Sequence, residues 1–270
     1  MILVVDVGNA EILLGVYDGE DLISGWEMTT NVANTSDEIG TTILRFLKLE
    51  GIQKEGIKDV IVSSVVPTIM YSLNRAIIKY FCIEPIYVTH NMVTGINLEM
   101  VDSKELGSDR LAKMVAALEI YGGPVMVVDY ATGTTFDVVD ERGGFVTAIT
   151  APGVNVCAES LFSKTAQLPK IEIKKPDSIY CRDIVSCIQG GIYYGHIGEA
   201  KYIINMVKKE MGYAKLKVVA TGSMARAIDD SGEIFDVLDP FLTFKGLRIL
   251  YEKNKDNYPY RRSCNNGSCN

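Results

Sequence analysis

Histidine is almost missing from this chain: His90 and His196 are the two it has in 270 residues. So small an inventory argues against a histidine-built metal centre and against a Ser-His-Asp triad. Basic residues are also in deficit, with 27 Lys and Arg against 34 Asp and Glu and a formal net charge of -7. A general nucleic-acid binder needs a basic surface to neutralise phosphates, so that class is set aside. A small anionic ligand held by backbone N–H groups is not. No apolar run is long enough to span a bilayer, and the N-terminus lacks the basic stretch of a secretory signal. No membrane partner and a cytoplasmic location are therefore expected. Of the six cysteines the first four show no paired spacing, and the spacing of Cys264 and Cys269 is not diagnostic of a metal or redox pair. Cys82, Cys157, Cys181 and Cys187 sit in apolar or helical surroundings and read as buried thiols. Cys264 and Cys269 belong to a polar tail, 255–270, that reads as loose and exposed.

What is present begins at the N-terminus. Ile2-Leu3-Val4-Val5 is a buried-strand pattern that runs into Asp6-Val7-Gly8-Asn9-Ala10. The Asp6 carboxylate falls at the strand's end, where a metal or a phosphate could meet it. Gly8 and Asn9 suit a turn with positive φ and exposed N–H groups. A hairpin follows through Ile12–Tyr17, Asp18-Gly19 and Leu22–Trp26. Taken alone, this is equally the pattern of an ordinary β-meander with a turn aspartate. Thr35 or Ser36 caps a first helix, with Asp37 and Glu38 in its opening turn. Val60–Val66 reads as a strand stopped by Pro67. Helices follow over about 68–81 and 106–121, with a short strand at Pro85–Val88 between them.

At Gly122-Gly123-Pro124 the pattern restarts. Under a shift of 123 residues Asp6 falls on Asp129, Asn9 on Thr132, Leu13 on Phe136 and Val16 on Val139. The repeat implies two halves, 1–121 and 122–254, whose strand-end acids face one cleft. The second half adds helices over about 156–165 and 184–211. The latter carries Gly190, Gly191, Gly195 and Gly198, a cost that predicts close approach of another backbone or a ligand. A strand, Lys217–Ala220, ends at Thr221-Gly222-Ser223, a third phosphate-type loop. A last helix, from Asp239-Pro240 to about Lys253, closes this half.

In order along the chain, Asp6-Val7-Gly8-Asn9, Ser64-Val65-Val66-Pro67, Gly107-Ser108-Asp109-Arg110, Thr134-Thr135-Phe136-Asp137, Ala151-Pro152-Gly153, Gln189–Gly195, Ala220-Thr221-Gly222 and Asp239–Leu247 resemble the type III pantothenate kinases. These belong to the actin/sugar-kinase ATPase superfamily. The resemblance covers about residues 1–254. It implies an α/β fold of two duplicated ribonuclease-H-like domains with mixed central sheets flanked by helices. It also implies a homodimer with the acceptor pocket at its subunit interface. The implied chemistry is phosphorylation of the pantothenate primary hydroxyl by ATP, the first step of coenzyme A biosynthesis. On this resemblance Asp6 would hold Mg²⁺, the turn Asp6–Ala10 and Thr132 would bind phosphates, and Thr221-Gly222 would flank the nucleoside. Asp109 would be the general base, and Asp129 would bind a monovalent cation, K⁺ or NH₄⁺. Gly107, Ser108, Arg110 and the positions of Met100 and Ile184 would line the acceptor site.

Several positions depart from the family pattern. Ala10 replaces a hydroxyl residue, and Ala131 a glycine, which matters if that position needs positive φ. Thr147-Ala148 replaces Gly-Gly, Ser223 a glycine, and Asp102-Ser103 an Asn-Pro. Met100 replaces a tyrosine and Ile184 a threonine. Two lost neutral hydrogen bonds, at about 1 kcal/mol each, weaken acceptor binding roughly thirtyfold. Ala10 implies a weakened ATP site. The chemical acids Asp6, Asp109 and Asp129 all remain. Two readings therefore stand: an active kinase for pantothenate or a related hydroxyl compound, and a non-catalytic relative that binds nucleotide or a partner as a regulator.

Overall fold

Strand β1 (Ile2–Val7) is buried along its whole length. It has β2 (Glu11–Asp18) antiparallel on one side and β4 (Asp59–Ser64) parallel on the other. A strand flanked on both edges and covered on both faces reads as an unbroken apolar run, which is why Ile2–Val5 carries no alternation. The computed structural model describes residues 1–99, 106–229 and 232–258. They form two units, one holding Met1–Gly95, α3 (Ser108–Tyr121) as far as Ala116 and the chain from Thr243, the other holding residues 96–99 and Ala117–Leu242.

The first unit is a five-stranded mixed sheet of order β3-β2-β1-β4-β5, completed by β3 (Asp21–Thr29) and β5 (Ile86–Tyr87). Helices α1 (Ser36–Leu49) and α2 (Met70–Phe81) pack beside it. Leu3, Val5, Ile39, Ile43, Leu73 and Ile77 belong to one buried core. Thr35, rather than Ser36, is the α1 cap, and Glu38 closes a capping box by bonding back to the Thr35 N–H. Such a cap contributes about 1 kcal/mol.

The second unit repeats this design. Strand β6 (Val125–Tyr130) begins and ends 123 residues after β1, and β7 (Gly133–Val139) and β8 (Phe145–Pro152) complete the meander. With β9 (Lys217–Thr221) and β10 (Val237–Leu238) the sheet order is β10-β9-β6-β7-β8, the same succession as in the first unit. β-bulges fall at Val16/Tyr17 and at Val138/Val139, so even the irregularity recurs. Helices α4 (Val154–Lys164), α5 (Ile184–Glu210) and the short α6 (Ala225–Ile228) belong to this unit. The restart at Gly122 has a local cause. Its φ of 74° and its N–H bond to the Leu118 carbonyl end α3, a geometry glycine adopts without strain.

Three expectations change on the structure. The last helix, α7 (Leu242–Asn254), joins the first unit from Thr243 on instead of completing the second. A Cβ on Gly246 would collide with the Ala112 backbone, so α7 and α3 meet main chain to main chain. Tyr251 Oη donates to Asp59 Oδ2 at 2.6 Å, and the Asn254 side chain exchanges hydrogen bonds with the Val93 main chain. Of the α5 glycines, Gly190 alone has a close neighbour, Cys181 Sγ, whereas Gly191, Gly195 and Gly198 face open space. Finally, Cys82, Cys157 and Cys181 are half-buried and Cys187 is exposed, so none is a core thiol. Cys264 and Cys269 lie outside the described residues.

Candidate active site

The turn after Asp6 is tight without being left-handed. Gly8 N–H donates to the Glu11 carbonyl at 2.9 Å, and a Cβ on Gly8 would stand 3.1 Å from that oxygen. Neither Gly8 nor Asn9 has positive φ, contrary to expectation. Glycine is used here for closeness of approach. Thr30 Oγ1 donates to the Gly8 carbonyl at 2.7 Å and so braces the turn from β3's end. Asn9 and Ala10 are exposed, and an open cavity of about 660 Å³ borders Asn9, Thr29, Thr30, Asn31 and Val66. Asp6 itself is 6% exposed. Its register partners are Leu13 on β2 and Ser63 on β4, so the Asp6 and Ser63 side chains share one face of the sheet.

Through Ser63 the start of α3 is drawn to the same place. Ser63 Oγ lies 2.9 Å from Ser108 Oγ, the Ser64 N–H donates to Ser108 Oγ at 3.0 Å, and Ser108 Oγ donates to the Ser64 carbonyl at 3.2 Å. Gly107 precedes the helix, its carbonyl accepting from Leu111 N–H at 3.1 Å. A side chain on Gly107 would run into Val65 and the Asp109 carboxylate. Asp109 is the second residue of α3 and accepts from Lys113 Nζ at 2.9 Å. Burial pushes the Asp109 carboxyl upward. The Lys113 charge and hydrogen bond, with the N–H and guanidinium of Arg110, outweigh burial and hold it below the ordinary aspartate value. The first unit thus assembles Asp6, Val7, Gly8, Asn9 and Ala10 with Gly107, Ser108, Asp109 and Arg110. The serine bridge and Lys113 were not singled out from sequence. The i,i+4 spacing of Asp109 and Lys113 was the available signal.

The second unit builds a parallel set. Asp129, 5% exposed, lies near the end of β6 with Thr135 and Thr221 as register partners. Gly222 has φ of 92°, and a Cβ there would collide with the Tyr130 carbonyl and stand 2.7 Å from Asp129 Oδ1. Thr221-Gly222 is therefore pressed against Asp129, and glycine is required twice over. The Gly153 N–H donates to the Thr132 carbonyl at 3.2 Å, and a side chain on Gly153 would strike the carbonyls of Ala131 and Thr132. Ala131 does not take positive φ, so its replacement of a glycine carries no backbone strain. Thr132 is exposed, and Ile184, the first residue of α5 after the Asp183 cap, is 51% exposed. Met100 lies outside the described residues.

Among the described residues no three His, Cys, Asp or Glu side chains converge as a metal cage. Asp6 and Asp129 each offer one carboxylate with serine or threonine oxygens as neighbours in register. An all-oxygen set with a single carboxylate suits a hard cation that keeps its waters and leans on a phosphate ligand. The residues fit such ions.

The family model for type III pantothenate kinase matches residues 2–206. A type III pantothenate kinase of Agathobacter rectalis is 46% identical over 253 residues, covering 94% of this chain and 97% of the relative. One from Listeria monocytogenes is 43% identical over 255 residues, covering 94% and 98%. Among solved structures, a Baf family transcriptional activator of Campylobacter jejuni superposes with a TM-score of 0.58 at 16% identity, over 94% of this chain and 100% of that one. The ADPNP-bound activator of 2-hydroxyisocaproyl-CoA dehydratase from Clostridium difficile gives 0.54 at 12%, over 99% of each chain. These structural likenesses carry the fold alone, two duplicated units each built on a mixed five-stranded sheet with flanking helices. With a family model spanning most of its length and near-full-length relatives above 40% identity, the chain belongs to the type III pantothenate kinase family.

Proposed function

We propose that this chain transfers the γ-phosphoryl group of ATP to the primary hydroxyl of pantothenate, giving 4'-phosphopantothenate and opening coenzyme A biosynthesis. The observation that carries the reading is the placement of Asp109: a charged carboxylate at the start of α3, tied through Ser108 to the strand beside Asp6. Asp109 takes the hydroxyl proton as the oxygen attacks phosphorus, a role typically worth about 10²–10⁴ in rate. Arg110 binds the acceptor's carboxylate and carbonyl oxygens. Backbone N–H groups of Val7–Ala10 and the Thr132 hydroxyl bind phosphate oxygens. Thr221 and Gly222 flank the nucleoside. Asp6 holds Mg²⁺, which supplies charge neutralisation to the transferring phosphoryl group. Asp129 holds K⁺ or NH₄⁺.

The reading extends to a homodimer. Gly191, Gly195 and Gly198 line one exposed stripe of α5, with nothing within 4 Å of where their side chains would start. Ile184 and Tyr202 on the same helix are 51% and 67% exposed. A helix face this smooth, between large apolar groups, suits close packing against a second copy, with Ile184 proposed to lie at that contact. Among the described residues no helix is long and apolar enough to cross a membrane. A cytoplasmic location belongs to the same proposal.

The test is product formation. Purified protein, Mg-ATP and pantothenate in potassium buffer should yield a species heavier than pantothenate by one phosphoryl group in mass spectrometry. ATP turnover that is independent of pantothenate, or none at all, overturns the assignment.

A further inference from the structure

One basic group beside the acid has no place in the chemistry so far. The Lys113 side chain is 8% exposed, and its ammonium donates to Asp109 Oδ2 at 2.9 Å. An exposed i,i+4 pair of this kind would be an ornament of the helix surface. A lysine this deeply withdrawn from water is different, because an ammonium is kept in such a place only by partners that match its charge. It also singles out one oxygen of the carboxylate. Oδ2 is engaged by Lys113, while Oδ1 lies over the Cα of Gly107, where any side chain would obstruct it.

We infer that Lys113 is a positioning residue for the transfer: it clamps Asp109 Oδ2 so that Oδ1, over the bare Gly107 backbone, is the oxygen that accepts the hydroxyl proton. The inference rests on the reading of Asp109 as the base. The electrostatics agree with the geometry. Lys113 and Arg110, both on α3, act on the Asp109 carboxylate against its burial. From β4 comes the Ser63 hydroxyl, with Val65 just past the strand's end and Asp6 one strand further on β1. The α7 helix, packed on α3 through Gly246, carries Lys245 and Arg248, the latter paired with Glu20 at 3.7 Å. Without Lys113 the half-buried carboxylate loses its nearest positive charge. Its protonation then moves toward higher pH, and Oδ2 is no longer held.

The experiment compares pH profiles of kcat/KM for wild type, Lys113→Met, Lys113→Gln and Asp109→Asn. Lys113→Met should lower plateau kcat about tenfold to a hundredfold, part of the range a positioned base supplies. KM for pantothenate should stay within about twofold, and the acid limb should move up by about one pH unit or more. Lys113→Gln keeps a donor without the charge, so it should regain most of the plateau but not the acid limb. A Lys113→Met profile that superimposes on wild type, with Asp109→Asn inactive, overturns the clamp while leaving the base in place. An active Asp109→Asn overturns the base itself. If neither Lys113 variant folds, the Asp109 carboxyl carbon of the wild type, assigned by its loss in Asp109→Asn, decides by ¹³C NMR. The clamp requires it to titrate below the ordinary aspartate value of about 3.9, and titration at or above that value overturns it.

Discussion

The hydroxyls of Ser63 and Ser108 lie 2.9 Å apart, and that contact fixes the first turn of α3 to the strand beside Asp6. Ser63 is fully buried. Ser108 also accepts from the Ser64 N–H and donates to the Ser64 carbonyl. One small side chain thus ties Asp109, the proposed base, to the strand beside Asp6, the acid proposed to hold Mg²⁺.

Removing it should be felt twice. Ser108→Ala strands a buried hydroxyl and a backbone N–H, at a cost of about 1–2 kcal/mol in a urea titration. Because α3 then sits less firmly, kcat should also fall, with Mg-ATP affinity unchanged in calorimetry. A variant as stable and as active as wild type would show that the bridge positions nothing.

The loop at Gly222 and the turn at Ala131 should respond in opposite ways to the same kind of exchange. Gly222→Ala forces a side chain into positive φ and against Asp129 and the Tyr130 carbonyl, so unfolding stability should drop by about 2 kcal/mol or more. Ala131→Gly relieves no strain and loosens the unfolded chain, so it should cost up to about 1 kcal/mol and not stabilise. Thermal and urea unfolding of the pair decide it.

Tyr130, the residue after Asp129, is 1% exposed, and its hydroxyl has no hydrogen-bond partner among the described residues. Burial, with Glu199 and Asp229 nearby, pushes its phenol well above the usual tyrosine range. A buried hydroxyl without a partner contributes nothing to the fold, so Tyr130→Phe should leave stability unchanged within about 0.5 kcal/mol or raise it. A loss above about 1 kcal/mol would mean the hydroxyl is bonded.

The open stripe on α5 gives an assembly prediction. Gly195→Phe projects a ring from the face proposed to meet the second copy, where the present chain leaves space. Light scattering should show a dimer for wild type and a monomer for the variant, with helical circular dichroism preserved. A variant that remains dimeric places the interface elsewhere.

Much of this architecture was legible in the residues. The repeat by 123 positions reappears as identical bounds for β1 and β6, because a strand covered on both faces advertises itself as an apolar run with an acid near its end. The Thr35 cap was legible because capping chemistry is local. What stayed hidden was non-local. The docking of α7 depends on Gly246 meeting Ala112, far apart in the chain, and its periodicity says nothing of which sheet it serves. Gly8 looked like a left-handed turn residue because glycine serves both positive φ and tight approach, and sequence does not tell the two apart. Lys113 is not distinguished by sequence, because its i,i+4 spacing from Asp109 gives adjacency and not depth.

Asp109 carries the proposed proton transfer, and its amide variant is decisive. Single-turnover formation of 4'-phosphopantothenate should be compared in wild type and Asp109→Asn, at Mg-ATP and pantothenate concentrations that calorimetry shows to saturate both proteins. The isosteric amide keeps the contacts of α3 but takes no proton, so the transfer rate should fall by at least about a hundredfold with ATP affinity retained. Transfer by Asp109→Asn at the wild-type rate would contradict the account.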